Sequence, residues 1–269
     1  MSRVTPTAVD SRAPLVPAGA RVAFSLSLLS GFELRAGGRP LTVPLSAQRV
    51  VAFLALHRRR LSRVFVAGHL WTDVSEQRAA AALRTALWRL GSAGGAVVRA
   101  DGQSLYLDRA LEIDVVECSL AARDVLDAAA TGSSTLAGLR DAGELLPDWY
   151  DDWVLIERER FRQLRLHALE RLCLALSAIG LHAEATEAGL AAVASDPLRE
   201  SAHRVLIAAH LAEKNCGEAL RQYETCRELL RRDLGLAPSA MLERLVADLR
   251  HGRAPRRHAR RDAPVTRAG

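Results

Sequence analysis

The sequence predicts a mainly α protein with a small β component. Three observations carry this. Short alternating apolar segments, broken by Gly and Pro, occupy residues 22 to 43. Three capped segments with helical periodicity then run to Leu90 and are followed by a hairpin signal at Asp101-Gly102. The rest of the chain is a succession of helical segments, the longest about 25 residues, punctuated by Gly180, Pro197 and Pro238.

Residues 1–20 contain Pro, Ala and Ser without periodicity and read as a disordered lead. Val22 to Leu28 alternates large apolar with small residues, a strand signature. Gly31 breaks it, Phe32 to Arg35 forms a second strand, and Gly37-Gly38 turns the chain into a third at Leu41–Val43, closed by Pro44. These make a small antiparallel sheet. Ser46 caps a first helix in which Val50, Phe53, Leu54 and Leu56 or His57 form the apolar stripe. Ser62 caps a second, which ends at Trp71, and Ser75 caps the third.

The third helix, SEQRAAAALRTALWRLGS, is the most informative stretch. At about 100° per residue, Ala79, Ala80, Leu83, Ala86, Leu87 and Leu90 share one face. Arg78, Ala81, Arg84, Thr85, Trp88 and Arg89 occupy the rest, and no acid stands among them. Gly91 is the expected terminator. Gly94-Gly95 then breaks the chain, and Ala96–Ala100 and Ser104–Leu107 flank the Asp101-Gly102 turn. Sheet, three helices, hairpin is the order of a winged helix-turn-helix, with the hairpin as the wing.

The back half reads as helices at Asp114–Ala130, Thr135–Leu145, Leu155–Ile179, Ala183–Ala194, Leu198–Glu213, Cys216–Leu234 and Ser239–Arg250. Pro197 and Pro238 are placed at helix starts, where a missing N–H does no harm. Glu184-Ala185 recurs as Glu218-Ala219, 34 residues on, the period of tetratricopeptide helix hairpins. The expected architecture is therefore an N-terminal winged helix followed by an all-α tetratricopeptide-like domain.

Charge divides the chain in the same place. Residues 1–110 carry a net +9, residues 111–250 a net −8, and residues 251–269 a net +5. A basic front half on an acidic back half points to a polyanion partner for the front. The basic, aperiodic tail at 251–269 reads as disordered. No apolar run is long enough to span a membrane and no signal-peptide core precedes Ala20, so a cytoplasmic protein is expected. The four cysteines, Cys118, Cys173, Cys216 and Cys226, are scattered, as reduced structural thiols are.

These residues carry a resemblance. GFELRAGGRPLTVPLSAQRVVAFLALH, Leu70-Trp71, LRTALWRL at Leu83–Leu90, and SLYL before Ile113-Asp114 look like the OmpR-type winged-helix domain of the Streptomyces antibiotic regulatory protein family. ERERFRQLRLHALERL and the run from Asp196 to Leu242 resemble the bacterial transcriptional activation domain that follows it in that family. The chain departs at Asp233–Pro238, where Glu-Leu-Gly-Val-Glu-Pro is common, and at Ala79–Ala82, where a polar residue is usual. The resemblance implies a winged-helix DNA-binding domain at 21–110 and an activation domain at 111–250. It also implies binding to direct repeats near a promoter, and a back domain that contacts the RNA polymerase holoenzyme or mediates self-association; a homodimer on adjacent DNA sites is a further expectation.

Arg78, Arg84, Thr85 and Arg89 are the expected major-groove contacts, because a guanidinium spans guanine O6 and N7 or holds a phosphate. Trp88 shares their side. Large indoles usually bury, so packing against the wing is its expected role, with stacking on the sugar–phosphate backbone the alternative. Arg99 and Gln103 flank the wing turn and reach toward phosphate or the minor groove. His57-Arg58-Arg59-Arg60, with Arg63, faces either the DNA backbone, polymerase or solvent.

Enzyme motifs are missing: there is no GxxxxGK[ST], GxGxxG, HExxH or GxSxG. His203 and His210 share a helix face but have no Cys or acid at zinc-site spacing, and are expected to be partly buried or on the surface. No metal or cofactor is expected. The function expected is a sequence-specific transcriptional regulator that activates by recruiting RNA polymerase to promoters; control of secondary-metabolite genes is implied by the family resemblance alone. The alternative is a helical-repeat adaptor whose basic front end attracts polyanions without reading sequence.

Overall fold

A computed structural model describes residues 23–92, 97–127 and 132–250. The expected lead at 1–20, the tail at 251–269, and the break at Gly94-Gly95 lie outside them. In chain order the elements are β1 (Phe24–Ser27), β2 (Glu33–Ala36), β3 (Arg39–Pro40), α1 (Leu45–His57), β4 (Leu61–Ser62), α2 (Arg63–Leu70), α3 (Glu76–Ser92), β5 (Val98–Asp101), β6 (Ser104–Leu107) and β7 (Glu112–Ile113). Next come the helices α4 (Asp114–Leu126), α5 (Ser133–Asp141), α6 (Asp152–Ala178), α7 (His182–Ser195), α8 (Glu200–Ala212), α9 (Cys216–Leu229) and α10 (Ala240–Arg250). The fold class is as the sequence predicts: a winged helix with an N-terminal sheet, then stacked helices.

Several local expectations are corrected. The third strand is Arg39–Pro40, not Leu41–Val43, because the Gly37-Gly38 turn is tight and pairs Ala36 directly with Arg39. The first sheet is not purely antiparallel. Its order is β3-β2-β1-β7, and β7 runs parallel to β1 with Leu26 opposite Ile113. Pro44, not Ser46, precedes α1, and Gly91 lies inside α3, which ends at Ser92. Ser62 does cap α2, accepting the Phe65 N–H at 3.2 Å. Pro197 and Pro238 each sit in the turn before a helix rather than at its start. The segment predicted as one helix from Cys216 to Leu234 loosens into a π turn at Leu230–Leu234, stopped by Gly235 at φ +67°.

The α1 helix is buried nearly all round rather than along one stripe. The reason is its central position. Ala47, Val51, Ala52 and Ala55 pack toward the first sheet and the back half, in a core with Leu26, Leu28, Ile113, Val115, Leu146 and Phe161. Val50, Phe53 and Leu54 pack the other way, with Val66, Leu70, Leu83, Ala86 and Leu105 of α2, α3 and the wing. One core therefore runs continuously across residue 110.

The Asp114 carboxylate fixes that junction. It accepts the N–H groups of Leu28 (2.9 Å), Leu29 (3.0 Å) and Val115 (2.6 Å), tying the end of β1 to the start of α4. The segment before α6 adds to the same edge: Leu146 N–H bonds Leu28 O at 2.9 Å, and Ser30 N–H bonds Glu144 O at 2.8 Å. Gly143 permits this approach, since a Cβ there would fall 1.9 Å from Ser30 Oγ.

In the back half, α6 packs on α7, α7 on α8, and α8 on α9. His182 and Cys216 open α7 and α9 at the 34-residue offset, and Ala185 and Ala219 are both buried in the first turns. A Cβ at Gly189 would meet Leu206 at 3.0 Å, so small residues set the α7–α8 spacing. Cys173 and Cys226 are buried thiols, and burial pushes them up to about 12 and about 11. His203 and His210 are buried too, more deeply than the sequence suggests, because α8 is covered on both sides. His203 Nε2 donates to Pro197 O (2.8 Å), and its Nδ1 accepts from Gln222 (2.7 Å).

Asp114→Ala leaves three N–H groups without their acceptor, and should lower the unfolding free energy by about 2–3 kcal/mol in urea melts. A second outcome concerns pH. Burial holds the His203 imidazole below its ordinary range. The unfolded chain takes up a proton near pH ~6.5 that the folded state resists, so this stability is complete above that pH and declines below it. Melts at about pH 7.5 and about pH 5.5 should show the decline, and His203→Gln should flatten it.

Candidate nucleic-acid interface

The α3 helix divides as its periodicity predicts. Ala79, Leu83 and Ala86 are buried with α1 and α2, and Leu90 lies in the core that α1 shares with the first sheet. Arg78, Ala81, Arg84, Thr85, Trp88 and Arg89 are all exposed. None of the three arginines has an ion-pair partner among the described residues. Thr85 Oγ1 donates to Ala81 O at 3.1 Å, back-bonding onto its own helix.

Trp88 corrects an expectation. It is 72% exposed. Two residues from both Ala86 and Leu90, it lies about 200° around the helix from the buried stripe, so the packed face excludes it. An exposed indole on the arginine face offers a flat apolar surface to a ligand.

The wing lies where the hairpin signal places it, with Asp101 opposite Ser104. Its two loop residues are Gly102 and Gln103, one position beyond the Asp-Gly pair. Gly102 takes φ +57°, the positive φ that a tight hairpin loop needs at one position. Gln103 is exposed at the tip. Arg99 is exposed on β5 but paired: its Nη2 donates to Asp108 at 2.8 Å.

A third wing strand escapes sequence reading. Leu61-Ser62 forms β4 and pairs with β6, Leu61 opposite Leu105. Only two residues long, it reads in the sequence as the approach to the Ser62 cap. It brings the arginine cluster onto the wing. Arg63 N–H bonds Gln103 O at 2.8 Å, and Arg60 pairs with Asp101 while its guanidinium lies 4.5 Å from the Tyr106 ring centroid. Arg59 lies over Phe65, 5.6 Å from its centroid. So the α1–β4 segment (residues 58–60) meets the wing at Arg60 and Asp101, while Arg78, Arg84, Thr85, Trp88 and Arg89 share the exposed side of α3.

Contacts tie the front half to the back half. Asp151, just before α6, pairs with Arg49 of α1. Trp153 meets Phe53 edge-on at 5.2 Å, and Trp149 stacks on Phe32 at 6.1 Å.

Trp88→Ala should leave stability within about 0.5 kcal/mol of the parent, since the side chain covers no core. A thermal midpoint that drops by several degrees would place it in the packing instead.

Comparisons with known proteins agree with this architecture. The model of the bacterial transcriptional activator domain matches residues 107–250. The regulatory protein AfsR of Streptomyces griseus is 30% identical over 252 residues, covering 88% of this chain and 25% of its own length. The chain thus spans about a quarter of the length of that curated relative. Among solved structures, Mycobacterium tuberculosis EmbR in complex with a low affinity phosphopeptide superposes with a TM-score of 0.66 at 20% identity, over 88% of this chain and 67% of that one. The fold is shared with EmbR, and the chain belongs to the Streptomyces antibiotic regulatory protein family of transcriptional regulators, whose mark here is the bacterial transcriptional activator domain at residues 107–250.

Proposed function

We propose that the protein binds promoter DNA in a sequence-specific manner through α3 and the wing, and activates transcription by contacting RNA polymerase through its helical back half. The observation that carries this is the unpaired arginine face of α3. Nine arginines between 140 and 232 are engaged in ion pairs, yet Arg78, Arg84 and Arg89 stand exposed with no acid beside them. Unneutralised guanidiniums gathered on one helix face fit a polyanion that supplies the counter-charge.

In this reading Arg84, Thr85 and Arg89 enter the major groove, and Trp88 lies against a thymine methyl or a deoxyribose. Arg78, Arg99 and Gln103 hold the backbone on either side. Residues 21–110 form the DNA-binding unit and residues 111–250 the activating unit, joined by the shared core rather than a linker. That rigid joint fixes where the back half stands relative to the promoter, which raises the local concentration of polymerase there. Binding to direct repeats, with two copies side by side, and a cytoplasmic site of action belong to the same proposal. Among the described residues no helix is long and apolar enough to cross a membrane.

Selection of random DNA fragments on the purified protein at two salt concentrations tests the reading. It predicts enrichment of a short repeated motif that survives the higher salt. Arg84→Ala should then weaken binding to that motif by about 1–3 kcal/mol and relax preference at one position. Binding that enriches nothing and fades steeply with salt would leave only a basic patch.

A further inference from the structure

Resting on that reading, we infer that Arg60 is a further phosphate ligand and that Asp101 restrains it, so that the pair acts as a specificity device in the wing. The observations are local. Asp101 is the last residue of β5, beside the wing loop, and its carboxylate is the ion-pair partner of Arg60. Both side chains are exposed, 59% for Arg60 and 61% for Asp101, so the pair is bathed in solvent and contributes little to stability. Arg60 is meanwhile oriented by the face of Tyr106, which keeps its guanidinium at the wing when the carboxylate lets go.

Chemistry makes the pair exchangeable. A DNA phosphate is an acceptor of the same geometry as a carboxylate, and its binding releases condensed counterions, which an internal carboxylate cannot do. The carboxylate also repels the same backbone that Arg60 attracts. On a cognate site, base contacts from α3 hold the duplex against the wing, and Arg60 passes from Asp101 to a phosphate. On other sequences the duplex sits less closely and the pair stays shut. Asp101 therefore suppresses nonspecific binding more than specific binding.

The geometry of the loop makes a clean test available. Asp101 is a strand position with an ordinary backbone, and the positive φ falls on Gly102. Asp101→Asn keeps shape and removes only the charge. The full chain should be titrated with cognate and scrambled duplexes over a range of salt, as parent, Asp101→Asn and Arg60→Gln, with thermal midpoints recorded for all three. Asp101→Asn should tighten scrambled-DNA binding several-fold and steepen its log–log salt slope by about one, while cognate binding changes less. Arg60→Gln should do the reverse on cognate DNA, weakening it and flattening its slope by about one.

If the pair is only a strut for the wing, both variants break it, and both lower cognate affinity together; that result overturns the inference. So does a parent that reads sequence with Asp101→Asn indistinguishable from it. A parent that selects no motif fails the DNA reading itself and takes the inference with it.

Discussion

The Asp114 carboxylate is the contact on which the arrangement depends. It sits where the wing hands over to the first helix of the back half, and it accepts backbone N–H groups from the end of β1, 86 residues earlier, and from its own helix. A strand end and a helix start both leave N–H groups without partners. One carboxylate satisfies both, and in doing so makes β7 parallel to β1 and seats α4 on the first sheet. The segment from Gly143 to Leu146 then closes over the same edge. Arg158 holds it there, donating to Leu145 O and Trp149 O at 2.8 Å each and pairing with Glu144.

Through this joint, α3 is packed by way of α1 against the back half. The α1 helix lies between two apolar clusters, one facing the back half and one facing α3 and the wing. A rotation of α3 would have to be carried through Phe53, which touches both the α2 layer and Trp153. Cores packed at crystal-like density transmit such displacements rather than absorbing them. The exposed arginine face of α3 and the helices of the back half are thus joined through one packed core.

Charge is distributed to match. In the back half, acids outnumber bases and nine arginines are held in ion pairs, which leaves a net negative surface. The front half keeps its cations open on α3 and restrains them at the wing, Arg60 by Asp101 and Arg99 by Asp108. The distinction between open and restrained arginines is invisible in net charge.

The sequence by itself determined the periodic helices, the hairpin, the 34-residue offset of α7 and α9, and the division of α3 into an alanine–leucine stripe and an arginine face. These are local patterns, set by 3.6-residue and two-residue periodicity and by Gly at the turns. Periodicity identifies an apolar face but not what covers it. So the burial of α1 on both sides, the parallel β7, the two-residue β4 and the exposure of Trp88 were decided only in three dimensions. The same holds for Arg60 and Asp101, 41 residues apart. Their meeting depends on Leu61-Ser62 pairing with the wing, a contact too short to leave a pattern, and long-range pairing of two residues is stabilised by the packed core around it rather than by any propensity of its own.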